Sequence, residues 1–331
     1  MPVLRYFAFH KEASYGESPA PVATRALDIA SATLDVPTDP ELIYGGGLGR
    51  MAKTKRPGFY APSGNIVCAF DIHSIAHFLK WALGGYTYTV GAGGATNKHE
   101  CYGTDNLILP SFNARLGRDE FEHMFYGCSL NGLTLNIDGE YAMATLDVMA
   151  QKDEKVAIKT MAAVIALLPA QYPLAFHEVT ATIGGSDVSA KVRTLEFSIA
   201  NNLSAEAGRS IGSRHPRRMI SGERKVSFSM GLYFDGTAQL ERFWGSATGP
   251  DADGQIAFAT TINLSAGADG SAAISLPACI MTDAKQPITG RGEISHTISA
   301  TALQSDITLV DTLTHVYSEI LATITNAGLI I

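Results

Sequence analysis

The stretch Asn65–Trp81, NIVCAFDIHSIAHFLKW, has a partner later in the chain, Lys225–Trp244, KVSFSMGLYFDGTAQLERFW. Each runs an alternating apolar segment into a short amphipathic segment that ends on a tryptophan, and these are the only two tryptophans present. Apolar residues at Ile66, Cys68, Phe70 and Ile72, and at Val226, Phe228, Met230, Leu232 and Phe234, repeat every second position, the period of a strand with one buried face. After the first strand, Ile75, Phe78, Leu79 and Ala82 recur at spacings of three and four, which predicts a helix over Ser74–Leu83; Thr237–Trp244 predicts its counterpart. Outward from this unit the order continues to match. A Gly- and Arg-rich loop precedes each copy, GGGLGRMAKTKRPG from Gly45 and GRSIGSRHPRRMISG from Gly208. Extended segments lie upstream, Ala26–Leu34 and Thr194–Leu203, and alternating strands lie downstream, Ala144–Gln151 and His296–Leu303. Such recurrence decides architecture before any single motif does. It predicts a mainly β chain built as two tandem copies of a sandwich- or barrel-like domain, each with a short flanking helix. The copies are expected at residues 1–152 and 176–331, joined by a linker at 153–175.

Length and composition agree. A chain of 331 residues suits two domains, and its 46% apolar content is too high for a disordered one. Abundant Gly with only 17% charged residues suits short strands and turns. Further strands are expected at Leu130–Ile137, Val179–Ile183, Ile256–Leu264 and Ala273–Leu276, and a further helix at Arg118–Phe125. Near the C-terminus, Thr312–Leu321 reads as a helix or Ile320–Thr325 as a strand. The N-terminal residues Tyr6, Phe7 and Phe9 read as an aromatic segment, followed at Ser18-Pro19-Ala20-Pro21 by an extended polar arm suited to packing on a neighbour.

Charge is unevenly placed. Arg50, Lys53, Lys55 and Arg56 fill one loop, and Arg209, Arg214, Arg217, Arg218, Arg224 and Lys225 the other, against Glu223 alone. The two loops together carry +9 in a chain whose total is −7, so the rest carries −16. The acidic total argues against a general nucleic-acid binder. Two basic arms on an acidic body point to contacts between copies, because complementary potentials orient association; a basic loop that is merely solvated is the alternative. Arg50, Lys53, Lys55, Arg56, Arg209, Arg214, Arg217 and Arg218 are therefore the candidate inter-subunit and inter-ring contacts.

Catalytic and metal motifs are weak. Gly208-Arg209-Ser210-Ile211-Gly212 satisfies G-x-S-x-G, but Pro216 and three arginines follow where a nucleophile elbow needs a helix. His73 and His77 have the spacing of H-E-x-x-H without its glutamate. His99, Cys101, His123 and Cys128 lack persuasive ligand spacing. Asp119, Glu120 and Glu122 beside Arg118 read as a solvated face or a subunit contact. The glycine runs Gly45–Gly49 and Gly91–Gly94 lack the G-K-[ST] ending of a phosphate loop. No enzyme, metal or cofactor is predicted. Cys68, Cys101, Cys128 and Cys279 have no paired spacing and the N-terminus no signal-like apolar core, so free thiols in a reducing cytoplasm are expected. The longest apolar run, Val156–Leu168, is too short to span a bilayer.

Taken whole, Ser111–Gln151 (SFNARLGRDEFEHMFYGCSLNGLTLNIDGEYAMATLDVMAQ) and Gly212–Gly245 (GSRHPRRMISGERKVSFSMGLYFDGTAQLERFWG) resemble the major tail tube proteins of long-tailed bacteriophages. The resemblance runs from about Gly45 to Gln304 and is weakest at Ile158–Pro173. It implies a β-sandwich-like unit with a flanking helix that assembles into stacked rings, forming the conduit for double-stranded DNA, with no active site. It also implies a virion location after assembly in the host cytoplasm. The partners it implies are other copies of the chain, a tape measure protein inside the tube, and tail terminator and distal tail proteins. An acidic or neutral lumen lets DNA slide, whereas basic loops would grip phosphates, which puts the arms at subunit or ring contacts. If such rings hold six one-domain subunits, a two-domain chain builds one from three copies; the alternatives are a true hexamer and a non-polymerising terminator or decorative module.

Overall fold

The computed structural model describes residues 4–18, 22–38, 41–44, 54–91, 97–168, 172–287, 294–309 and 313–326. Strands dominate. The first half contains β1 (Phe7–Lys11), β2 (Arg25–Leu27), β3 (Ser31–Ala32), β4 (Glu41–Tyr44), β5 (Thr54–Pro57), β6 (Ser63–Ala69), α1 (Ile75–Leu83), β7 (Gly84–Thr89), β8 (Asn97–Gly103), β9 (Phe112–Gly117), β10 (Glu122–Ile137), β11 (Met143–Met149), β12 (Lys152–Val156) and α2 (Met161–Ile165). The second contains β13 (Val179–Ile183), β14 (Ser186–Asp187), β15 (Val192–Ala200), β16 (Lys225–Tyr233), α3 (Ala238–Trp244), β17 (Phe258–Ser265), β18 (Gly270–Lys285), β19 (Ser295–Ala302), β20 (Ser305–Thr308), β21 (His315–Ser318) and β22 (Leu321–Asn326).

The long strands β10 and β18 organise everything else. The N-terminal part of β10 lies between β9 and β12, and its C-terminal part pairs with β11, which pairs in turn with β6. β18 lies likewise between β17 and β22, then pairs with β19, which pairs with β16. The register recurs too. Ser31↔Val67, Ala32↔Ile66 and the bridge Asp35↔Ser63 have counterparts in Thr194↔Gly231, Leu195↔Met230 and Ser198↔Ser227. The pairs from Ser63↔Met149 to Ala69↔Met143 have theirs from Ser227↔Thr301 to Tyr233↔Ser295. Each long strand is irregular at two places, Phe125–Cys128 and Leu130–Gly132 in β10, Leu276–Cys279 and Met281–Asp283 in β18. Bulges bend a strand and increase its twist, so each long strand passes from one sheet into another at corresponding points.

Among the described residues, two sets of strand pairs join the halves. The C-terminal part of β10 accepts β15 on its free side, from Gly132↔Ala200 to Ile137↔Leu195. One antiparallel sheet therefore runs β3-β6-β11-β10-β15-β16-β19-β18. Elsewhere β8 pairs with β22, and His99 locks that seam, bonding Tyr86 Oη through Nδ1 at 3.0 Å and Asn326 Oδ1 through Nε2 at 3.2 Å. Inward-facing residues of the main sheet, among them Ile66, Leu133, Leu146, Phe197 and Phe228, form one continuous core. Trp81 stacks on Phe112 with centroids 4.3 Å apart and meets Phe9 edge-on at 5.6 Å. Lys80 is the one residue of α1 that is not buried, whereas α3 buries none of its residues.

Several expectations need correction. Arg118–Phe125 is not a helix. Asp119 takes a left-handed backbone (φ 59), Arg118 N–H donates to the Phe121 carbonyl, and β10 begins at Glu122. The charges that looked helical in spacing flank a tight turn, and Glu122, read as solvated, is fully buried. The N-terminal aromatic segment belongs to the fold, with β1 paired to β2 and β9 and Tyr6, Phe7 and Phe9 buried within the chain; of the polar arm expected after it, Pro19, Ala20 and Pro21 lie outside the described residues. Of the C-terminal alternatives the strand is present, as β22. The segment expected to link the halves begins as β12, paired to β10.

Candidate assembly surface

The strand order sorts the connections to two ends. The segments β3-to-β6 and β15-to-β16, which carry the basic loops, leave the sheet at one end. The turns β10-to-β11, β14-to-β15 and β16-to-α3 leave it at the other. A strand of seven residues separates them by about 20 Å.

At the first end the two basic loops meet within one chain. The backbone of Arg214 accepts from Tyr60 N–H at 2.9 Å, and its Nε donates to the Gly58 carbonyl at 2.9 Å. Its guanidinium lies 5.2 Å from the Tyr60 ring centre and 3.4 Å from Glu41. Arg209 sits over Phe59 at 4.2 Å and 3.5 Å from Glu206. His215 packs edge-on against Tyr60, and Gln151 Nε2 donates to the Pro216 carbonyl at 3.0 Å. Such cation–π and carbonyl contacts fix a loop that its composition would leave mobile. Lys55 and Arg56 stand exposed on β5, opposite Ile43 and Leu42 of β4. Arg217 and Arg218 are exposed, and these four cations make no ion pair among the described residues. Arg50 and Lys53 lie outside the described residues. Sequence reasoning thus found the cations and missed their partition, because Arg214 and Arg209 are held by this chain's own Tyr60, Phe59, Glu41 and Glu206. The missed signal was the aromatic pair Phe59-Tyr60 directly after the first loop.

The loop tip is rigidly presented. Arg217 N–H donates to the Gly208 carbonyl at 2.8 Å, closing the neck, and a Cβ at Gly208 would lie 1.8 Å from the Arg218 carbonyl oxygen, so only glycine fits. Ile211 stands fully exposed at the tip. Ser210 of the G-x-S-x-G match therefore sits in a turn of this loop rather than between a strand and a helix.

The opposite end is acidic and grooved. Asp138, Glu140 and Asp187 are exposed there without ion pairs among the described residues, whereas Asp235 is held by Lys191 at 2.8 Å. Between the turns lies an apolar groove of about 300 Å³, lined by Ile137 of the first half and by Val179, Ala181, Val192 and Leu195 of the second. Phe176 forms its rim, and its N–H donates to the Glu140 carbonyl.

The remaining candidate residues serve packing. His73 precedes α1 and is not on its face, and its carbonyl accepts from Arg25. His77 is buried between Phe9 and Trp81, and burial pushes its pKa down to about 3. Glu122 accepts from Tyr6 Oη at 2.6 Å and meets Arg115 and Lys159, each at 3.1 Å, and burial beside that carboxylate pushes the tyrosine up. His123 bonds Asp153 at 2.6 Å. Cys68, Cys101, Cys128 and Cys279 are buried free thiols, and burial raises each. No described helix is long and apolar enough to cross a membrane.

The chain is β-rich, with one extended sheet and exposed charges sorted to its two ends. The family model for phage tail tube protein matches residues 4–302, nearly the whole chain, and the chain belongs to that family. None of the curated proteins compared with it matches. Family membership makes it a structural component of the virion tail.

Proposed function

We propose that the chain polymerises as stacked rings of three copies into the tail tube, with residues 1–152 and 176–331 acting as equivalent units and giving each ring pseudo-sixfold symmetry. The repeated register supports this. Inside the chain, the C-terminal part of β10 is covered by β15. Its counterpart in β18, Asp283–Lys285, has β19 on one side and no strand on the other among the described residues. The counterpart of β15 is the β3 segment, which among the described residues pairs with no strand but β6, its Leu34 carbonyl accepting from Arg118 at 2.7 Å. Repeating the internal junction between chains joins the β18 edge of one chain to the β3 segment of the next, with Ala284 opposite Val36 and Lys285 opposite Asp35. Two different edges meeting head to tail close a ring when the rotation closes, and pairing removes the hazard of open edges.

The sheet also supplies a suitable lining. On the face away from the core, the row Thr145, Thr134, Ser198, Ser227, Thr301 crosses it, with Ser198 and Ser227 hydroxyls 3.0 Å apart. Asp147 and Glu196 add negative charge to this face. A hydroxyl-rich, weakly acidic wall offers double-stranded DNA no counterion-releasing grip, so the genome and, before it, a tape measure protein pass without sticking. Terminator and distal tail proteins meet the two ends, and assembly proceeds in the host cytoplasm. Negative-stain images of purified protein test the reading. Rings whose mass equals three chains are expected, and six chains per ring would reject the trimer.

A further inference from the structure

Lateral closure leaves the strand ends as the two rims of a ring, because strands in a closed sheet tilt about 35–45° from its axis and never lie across it. The rims differ in chemistry. One carries the pinned loop with Ile211 at its tip, beside the exposed Leu42 and Ile43 and the cations Lys55, Arg56, Arg217 and Arg218. The other carries the apolar groove with Asp138, Glu140 and Asp187 around it. Ile211, Leu42 and Ile43 together expose apolar surface at this rim, and exposed apolar patches mark contacts with other molecules; an open groove lined by valine, leucine and isoleucine is the complement.

Resting on the ring reading above, we propose that rings stack by plug and groove: Ile211 at the basic rim of one chain seats in the Ile137–Val192 groove at the acidic rim of a chain in the next ring. The occupant is a second copy because the charges match. Four cations without ion pairs surround the plug and three carboxylates without ion pairs surround the groove, so opposite rims attract and like rims repel. Stacking is therefore polar, every ring facing the same way. The groove takes a residue from both halves, so it exists only where the halves meet, which gives one axial contact per chain. The Ser210 motif finds its place here, as the turn that displays its neighbour.

The test is crosslinking of assembled tubes bearing both Ile211→Cys and Ala190→Cys, Ala190 lying exposed on the groove. The four native cysteines are buried and stay silent. A short bismaleimide should produce a ladder of many chains on a denaturing gel, and each single-cysteine variant should stay at one chain. An absent ladder in intact tubes overturns the proposal. Independently, Ile211→Asp should form rings normally yet give at least tenfold less tube at equal concentration, and tubes at the unmodified yield would overturn it. Ring formation by the variant shows that it folds. Protein that forms no rings even without substitutions rejects the ring reading itself and, with it, the plug.

Discussion

In the ring proposed above, Val36 is where closure would leave its clearest mark. It is 53% exposed in the single chain, whereas its counterpart by register, Ile199, is 1% exposed because β10 covers it and sets Leu133 opposite. Between chains of the proposed ring, Ala284 would take the place of Leu133. Full burial of a valine is worth about 1.5 kcal/mol at the low end, of which roughly half remains to be gained, so each seam gains about 0.8 kcal/mol from this residue. Val36→Asp removes that gain and places a carboxylate against an alanine methyl group, which adds a desolvation penalty of several kcal/mol. The sum exceeds about 3 kcal/mol per seam, more than about 100-fold in its association constant. The isolated chain should hardly notice, since exposed substitutions change stability by about 0.5 kcal/mol or less. Mass photometry over a concentration series, with a thermal melt of the monomer alongside, separates the two effects. Rings forming at the unmodified concentration would refute the register, as would a monomer melt lowered by many degrees.

Reversing Arg217 and Arg218 to glutamate should block tube growth while leaving a folded monomer, as read by light scattering and circular dichroism; unchanged growth sinks the role of these cations. Glu122→Ala removes the buried carboxylate that Arg115 and Lys159 meet, and should lower unfolding free energy by about 3–5 kcal/mol in urea titrations; a loss under about 1 kcal/mol contradicts the ionic reading. For His77, burial holds the folded-state pKa at about 3 against 6.5 ordinarily. The unfolded chain therefore takes up the proton first. Stability from the neutral ring is complete above about pH 6.5 and falls as pH drops toward 3, by up to about 1.4 kcal/mol per unit. His77→Phe, among Phe9, Phe78 and Trp81, should flatten that acid limb in urea midpoints measured at several pH values, and an unaltered slope would show that other groups cause it.

The first strand-to-helix unit was legible because alternation and the three–four spacing report burial directly, and Ile66, Cys68, Ile75 and Phe78 lie in the core as those periods require; in the second, the strand residues Val226, Phe228 and Met230 are buried but α3 buries none of its own. Arg118–Phe125 misled for the same reason, since charge spacing carries no information on burial and Glu122 is buried by partners from Tyr6 and Lys159, distant in sequence. The basic loops were visible as composition. Their geometry was not, because it depends on Arg214 reaching Gly58 and Tyr60 across the sheet end, a contact that no local pattern encodes. The bulges at Cys128 and Cys279 were equally hidden, although the two cysteines occupy matching places.

The two halves are not interchangeable at their borders. Only the first inserts the β7–β8 hairpin between its helix and the strand that follows, and that hairpin crosses to β22, so the junction inside the chain is held by two sets of strand pairs, β10 with β15 and β8 with β22. The second half places only residues 245–257 between α3 and β17. Counterpart to β22 in the first half is β12, whose outer edge carries no strand among the described residues and shows charged Glu154 and Lys155, the kind of edge that resists chance pairing. In the proposed ring, a seam between chains would therefore have one set of pairs where the internal junction has two. Covalent linkage strengthens the same junction by effective concentration. A ring of three chains, if built as proposed, should part under load at its chain boundaries and leave each pair of halves whole, so the released particle would be the single folded chain.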